Sequence, residues 1–203
     1  LNDAPVIDVI DNQTIDEDTS LVIELSGSDI DSADLVFSSS ADGNATSIVD
    51  GNALNVTPGP DFNGDINVTV YLTDGDLTVS QDFILTVNPV NDAPTLDDLA
   101  DASIEEDSIY ILELSGADID GDALTFLASV DANGSVDVDG STLTVTPAAD
   151  YNGDIVVSVI ASDGQASGSG SFTLTVTPLN DAPVIDVIDN QTIDEDTSLV
   201  IEL

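Results

Sequence analysis

The sequence predicts an all-β chain built from tandem β-sandwiches of about seven strands each. Three observations predict it. Asn-Asp-Ala-Pro occurs at Asn2–Pro5, Asn91–Pro94 and Asn180–Pro183, so the chain repeats every 89 residues. Apolar residues recur in short runs at alternate positions, the period of a half-buried strand. Gly paired with Asn or Asp punctuates those runs, and no stretch carries the periodicity of an amphipathic helix.

Residues 2–90 and 91–179 align without a gap, with 42 of 89 positions identical, and 180–203 opens a third copy. Leu1–Leu25 recurs letter for letter as Leu179–Leu203. In the first copy the strands expected are Val6–Ile10, Leu21–Leu25, Leu35–Ser39, Ser47–Val49, Ala53–Thr57, Ile66–Leu72 and Leu77–Val87. Val6–Ile10 and Leu21–Leu25 are dense in β-branched and leucine side chains, which suit a pleated surface. The three runs between Leu35 and Thr57 are short and bounded by Asp-Gly or Gly-Asn. In Ile66–Leu72, residues Ile66, Val68, Val70 and Leu72 point one way, with polar residues and Tyr71 the other. Phe83, Leu85 and Val87 repeat the alternation, as Phe172, Leu174 and Val176 do in the second copy. The turns fall at Asn63-Gly64, Asp74-Gly75, Asn152-Gly153 and Asp163-Gly164. Ser167–Ser171, with alternating Gly, reads as a flexible stretch or bulge. Seven short strands in fewer than about 100 residues is the pattern of an immunoglobulin-like sandwich. The third copy, 180–203, holds only the first two of these strands.

Composition removes most chemistries. The 203 residues include 41 Asp and Glu and no Lys, Arg, His, Cys, Met or Trp, giving a formal charge of −41. Nucleic-acid binding needs cationic side chains to displace phosphate counterions, and none exist. Attraction to anionic lipid fails for the same reason. No catalytic triad, thiolate nucleophile, Schiff-base lysine or His/Cys metal site can be assembled. No apolar run approaches the roughly 18 residues of a membrane helix. The absence of Cys rules out a disulfide framework without identifying a compartment. The sequence opens inside a motif rather than at Met, as an excerpt of something longer would.

With no cationic side chain, the carboxylates depend on solution cations for compensation. Four acidic features recur at matching positions. Glu17 and Glu106 sit in Asp-Glu-Asp and Glu-Glu-Asp. Asp29-Ile30-Asp31 matches Asp118-Ile119-Asp120. Asp61 and Asp150 precede an Asn-Gly, and Asp74 and Asp163 end the following strand. Residues two apart in extended chain face the same side, so a D-x-D pair can converge on one ion. Calcium accepts six to eight such oxygens. Asp118–Asp122 is superficially like an EF-hand loop, but its twelfth position is Ser129, not Glu, and no helices flank it. Asn12, Asn44, Asn55, Asn67, Asn133 and Asn190 lie in N-x-Ser/Thr sequons, most of which chance explains in a chain so rich in Asn and Thr, with glycosylation left open.

The order D-x-D, then Asn-Gly, then an apolar strand ending Ala161-Ser162-Asp163-Gly164, then Phe172 through Pro183, resembles the cadherin repeat. It is most similar to the cadherin-like tandem repeats of long bacterial surface and secreted proteins, and the resemblance covers nearly the whole chain. It implies calcium held at junctions between successive repeats. Carried onto the first junction, the ligands are Glu17, Asp61, Asn91, Asp92, Asp118, Asp120 and Asp163. The second offers Glu106, Asp150, Asn180 and Asp181, and the front end Asn2, Asp3, Asp29, Asp31 and Asp74. The fuller cadherin linker carries a further Asp before its Asn-Asp pair, where this sequence has Asn88-Pro89 or Thr177-Pro178. One or two ions per junction are therefore expected.

The function expected is a calcium-stiffened structural spacer of an extracellular, cell-surface adhesin or fibre. Its partners would be neighbouring repeats of the same chain and identical chains in a fibre, with no nucleic acid and no membrane insertion. The alternatives are a self-assembling filament subunit with donated terminal strands, or a carbohydrate-binding module of a secreted protein. A carboxylate pair could in principle serve glycoside hydrolysis, but duplication and the absence of any sign of a cleft point away from an enzyme.

Overall fold

The computed structural model describes residues 2–185 and 187–201, and all the helices and strands among them are strands. Two compact units form. One comprises residues up to Pro94 with Asp118–Ala123 and Asp163–Ala166, and the other comprises Thr95–Ala117, Leu124–Ser162 and the residues from Ser167 onward. The first unit thus includes the Asn91–Pro94 motif, which heads the second copy in the sequence.

In the first unit, a four-stranded sheet has the order β2 (Gln13–Asp16), β9 (Thr78–Asn88), β8 (Gly64–Thr73), β5 (Val36–Ala41). A three-stranded sheet has the order β3 (Leu21–Glu24), β7 (Ala53–Pro58), β6 (Ala45–Asp50). β1 (Val6–Ile7) pairs with β4 (Gly27–Ser28). Alternation sets which residues meet in the core. Leu54 and Val56 of β7, Ile66, Val68 and Val70 of β8, and Phe83, Leu85 and Val87 of β9 form one buried cluster. Each such apolar residue contributes about 1.5–3 kcal/mol on leaving water, which is what holds so acidic a protein folded.

The second unit repeats the plan. Its sheets run β11 (Ala102–Glu105), β18 (Ser167–Thr177), β17 (Gly153–Ser162), β14 (Thr125–Val130), and β12 (Tyr110–Glu113), β16 (Thr142–Pro147), β15 (Gly134–Asp139). β10 (Thr95–Leu96) pairs with β13 (Gly116–Ala117). The cluster around Ile155, Val157, Val159, Leu174 and Val176 is the counterpart of the first core. Tyr110 tilts against Phe172 with ring centroids 5.8 Å apart.

Each of the first two copies has nine strands where about seven were expected. The additions are β2 and β4, and β11 and β13 in the second copy. β2 carries one apolar residue, Ile15, and owes its conformation to parallel pairing with β9, Ile15 lying against Val87. β4 is two residues long, and its register comes from β1 rather than from any periodicity. Ser167–Ser171, expected as a flexible stretch or bulge, is instead regular strand in β18, paired residue by residue with Ser158–Ser162. The two strands expected in 180–203 are not formed among the described residues, where Val184, Ile185, Val187 and Val200 are all exposed.

Candidate metal centre

The centre in the first unit is built from three turns. Backbone leaving β2 bends at Glu17 and Asp18, with Asp18 left-handed at φ 58°. The turn before β8 does the same at Asp61, φ 53°. Asp tolerates this region because its short carboxylate caps nearby N–H groups, and here Asp61 N–H donates to Asp18 Oδ1 at 3.2 Å. The third turn, at Asp118–Asp122, is braced by Asp118 Oδ1, which accepts from the N–H groups of Asp120 (3.0 Å) and Asp122 (3.3 Å).

Glu17 is only 4% exposed. Its Oε1 accepts from Val90 N–H at 2.5 Å, and Asn63 Nδ2 stands 3.5 Å from its Oε2. A polar group this buried is costly unless donors meet it, and these two do. Asp92 lies opposite, donating its N–H to Asp120 Oδ2 at 2.9 Å. Two overlapping groups result, Glu17–Asp92–Asp120 and Asp18–Asp61–Asp92, each with one oxygen per residue and all three oxygens within 4.8 Å of one another. Oxygens bound to one calcium at about 2.3–2.6 Å can be no more than about 5 Å apart. Both groups meet that limit, and Asp92 belongs to both.

The electrostatics follow the geometry. Burial, then the charges of Asp61, Asp120, Asp18 and Glu17, push the Asp92 carboxyl above its usual range. Asp92 Oδ2 and Asp118 Oδ2 are buried with no hydrogen-bond partner. An inward-facing carboxylate oxygen without a donor is costly unless a cation meets it, so oxygen donors of this kind fit a hard metal ion.

Other expected ligands have hydrogen-bond partners of their own. Asp163 Oδ1 accepts from the N–H groups of Gln165 and Ala166, both at 2.6 Å, and Oδ2 from Asn91 Nδ2 at 2.9 Å. These bonds hold its carboxyl below the usual range, the Ala166 N–H most of all. Asn91 is a bracket, since its Oδ1 also accepts from Gln165 Nε2 at 2.8 Å. At the front end, Asn2 Nδ2 donates to Asp74 Oδ2 (2.8 Å) and Asp3 N–H to Asp31 Oδ2 (3.2 Å). There Asp29 Oδ1 accepts from Asp31 N–H, and its Oδ2 is buried without a partner.

The second unit holds an equivalent of the Asp18 group. Asp107 (φ 62°) and Asp150 (φ 55°) turn as Asp18 and Asp61 do, and Asp107, Asp150 and Asp181 form the third group of three. Glu106 accepts from Leu179 N–H at 2.5 Å, with Asn152 Nδ2 3.5 Å from its other oxygen. Asn180 Nδ2 donates to the Asp181 carbonyl. Burial, then Asp150, Glu106 and Asp107, raise the Asp181 carboxyl.

Asp18 and Asp107 were not among the residues expected from the sequence. Their signal was there: each is the last letter of a recurring acidic triplet, at the same place in both copies.

The opposed shifts set a pH dependence. With a raised folded-state value, Asp92 contributes stability below the ordinary carboxylate range and loses it as pH rises through its own titration. Asp163, with a lowered value, contributes stability above that range and loses it as pH falls. In cation-free buffer, the carboxyl-carbon NMR titration of Asp92 should therefore have its midpoint above that of Asp163. Coinciding midpoints would contradict the burial described.

Two Ig-like sandwiches in tandem, with acidic turns gathered at strand ends, are the architecture of a tandem Ig-like repeat. The protein belongs to the bacterial Ig domain family, which it matches twice, over residues 2–86 and 91–177. No curated protein matches it. Among solved structures it is similar to human Protocadherin-24 EC1-2, with 14% identity, TM-score 0.57, and coverage of 90% of this protein and 100% of that one. It is also similar to Drosophila N-cadherin EC1-4, with 18% identity, TM-score 0.54, and coverage of 88% and 50%. Of an endo-fucoidan hydrolase from glycoside hydrolase family 107 it spans 29% of the length, with 87% of its own residues covered at 19% identity and TM-score 0.36. The likeness to the cadherins is one of fold, consistent with a cadherin-like Ig tandem repeat. Domains of this kind are typically non-enzymatic.

Proposed function

We propose that the protein is a calcium-stiffened spacer of an extracellular, cell-surface adhesin or fibre. The observation that carries this reading is the pair of carboxylate groups sharing Asp92. Glu17, Asp18 and Asp61 come from the first sequence copy, and Asp92 and Asp120 from the second. A divalent ion among them would convert mutual repulsion into a tie between successive copies. Glu17, Asp18, Asp61, Asp92 and Asp120 would hold it, with Asp118 bracing its loop through Oδ1 and offering its unpartnered Oδ2, and Asn91 and Asp163 bracing the opposite turn. Asp107, Asp150 and Asp181 would repeat the arrangement one copy further on, so that reach grows with copy number. Neighbouring copies, and identical chains in a fibre, are the partners this reading supplies.

Calorimetric titration of the metal-stripped protein with calcium, with melting curves and small-angle scattering at each point, tests it. Saturable binding, a higher melting temperature and a narrower spread of dimensions are expected. No binding, with melting and scattering unchanged by calcium or chelator, would overturn the reading.

A further inference from the structure

Two Asn-Gly dipeptides stand where backbone geometry and a buried partner each demand a different residue. Gly64 and Gly153 have φ of 129° and 139°, a region that strains any L side chain. At 153 an added Cβ would also lie 2.7 Å from Tyr151 Oη. The residue before each must extend an amide toward a buried glutamate, Asn63 to Glu17 and Asn152 to Glu106, both at 3.5 Å. Both asparagines are exposed, and both precede the first residue of a long strand, β8 or β17. The fold thus installs at two equivalent positions the dipeptide whose amide is most open to attack from its own backbone, because glycine puts no side chain beside the attacking nitrogen; Asn133-Gly134 spells the same dipeptide elsewhere.

We propose that Asn63 and Asn152 are sites of spontaneous deamidation. The Gly64 or Gly153 backbone nitrogen gives up its proton to solvent base and forms a bond to the Asn Cγ carbon, the Cγ–Nδ2 bond breaks, and Nδ2 takes up one proton from solvent and leaves as ammonia. The resulting succinimide takes up one water at either carbonyl, giving aspartate or isoaspartate with no change of oxidation state. The product replaces a donor facing Glu17 or Glu106 with another carboxylate. Without a cation this adds repulsion beside a buried charge; with one it adds an oxygen ligand. That consequence, unlike the reaction, rests on the cation reading above, and it makes the acidic turns more cation-dependent with age.

The test incubates the folded protein in warm, mildly alkaline buffer beside a synthetic peptide of residues 61–66, with peptide mapping over time. The mass gain of amide-to-acid conversion is expected at Asn63 and Asn152 while Asn55-Val56 and Asn67-Val68 remain amides. If the peptide converts and both sites in the folded protein stay amides, the proposal is overturned. The variants Asn63→Asp and Asn152→Asp report the consequence separately. Each should melt below the parent in chelator and recover in calcium. Conversion by mass with no such recovery would leave the modification standing and remove the cation reading instead.

Discussion

Replacing Asp92 with asparagine is expected to move stability in opposite directions with and without calcium. In chelator, Asp92→Asn removes the charge facing Asp61, Asp120, Asp18 and Glu17, so the variant should melt above the parent. In calcium the order reverses, because Asp92 is the residue common to both carboxylate groups. An ion bound only by the folded state at about 100 times its dissociation constant adds roughly 2.7 kcal/mol, and the variant should lose most of that gain. Paired melts of parent and variant, with and without calcium, measure both signs. A variant melting below the parent in both buffers would show that Asp92 is bonded structurally rather than poised for a cation.

The largest loss expected outside the acidic turns is at Ile66 and at its repeat mate Ile155, both fully buried in their cores. Truncation of a buried isoleucine to alanine costs about 2–5 kcal/mol, because transfer energy and the unfilled cavity add. For a unit of this size each kcal/mol lowers the melting temperature by roughly 4–8 °C. Ile66→Ala and Ile155→Ala should therefore each melt far below the parent. Ile48→Ala, at a residue 66% exposed, should stay within about 0.5 kcal/mol. Thermal melts of the three variants check the contrast. A small loss at Ile66 or Ile155 would mean that its surroundings collapse to fill the space.

The long strands were legible because their alternation is strict. Ile66, Val68, Val70 and Leu72 could point inward together in only one register, and they do. The acidic residues were legible through recurrence, which is why Glu17 and Glu106 were expected to matter. Their burial was not legible, since no local rule places a glutamate under Val90 N–H or Leu179 N–H. Asp118 and Asp120 show the limit of spacing alone. Two residues apart, they could share an ion, and Asp120 joins a carboxylate group, while Asp118 spends Oδ1 on bracing the turn and has only its buried, unpartnered Oδ2 left for a cation. Extended-strand geometry does not foresee a turn closing on its own N–H groups.

The protein supplies its own control on what sequence decides, since the segment beginning at Leu179 spells the same residues as the one beginning at Leu1. The tight turn appears in both. Asp18 and Asp196 are left-handed at φ 58° and 63°, and the Thr19 and Thr197 hydroxyls donate to the carbonyls of Asp16 and Asp194. These bonds span three residues, so the local sequence determined them. Among the described residues the strands appear only in the segment from Leu1, where Ile7 meets Gly27, Ile15 meets Val87 and Leu21 meets Val56. Glu17 is buried there, while Glu195 lies exposed. A strand's hydrogen bonds and apolar face are satisfied by residues distant in sequence, and no such partner meets the segment from Leu179 among the described residues. The same letters make a turn wherever they stand, but a strand, and with it the buried glutamate of the acidic site, only where the tertiary structure brings its partners alongside.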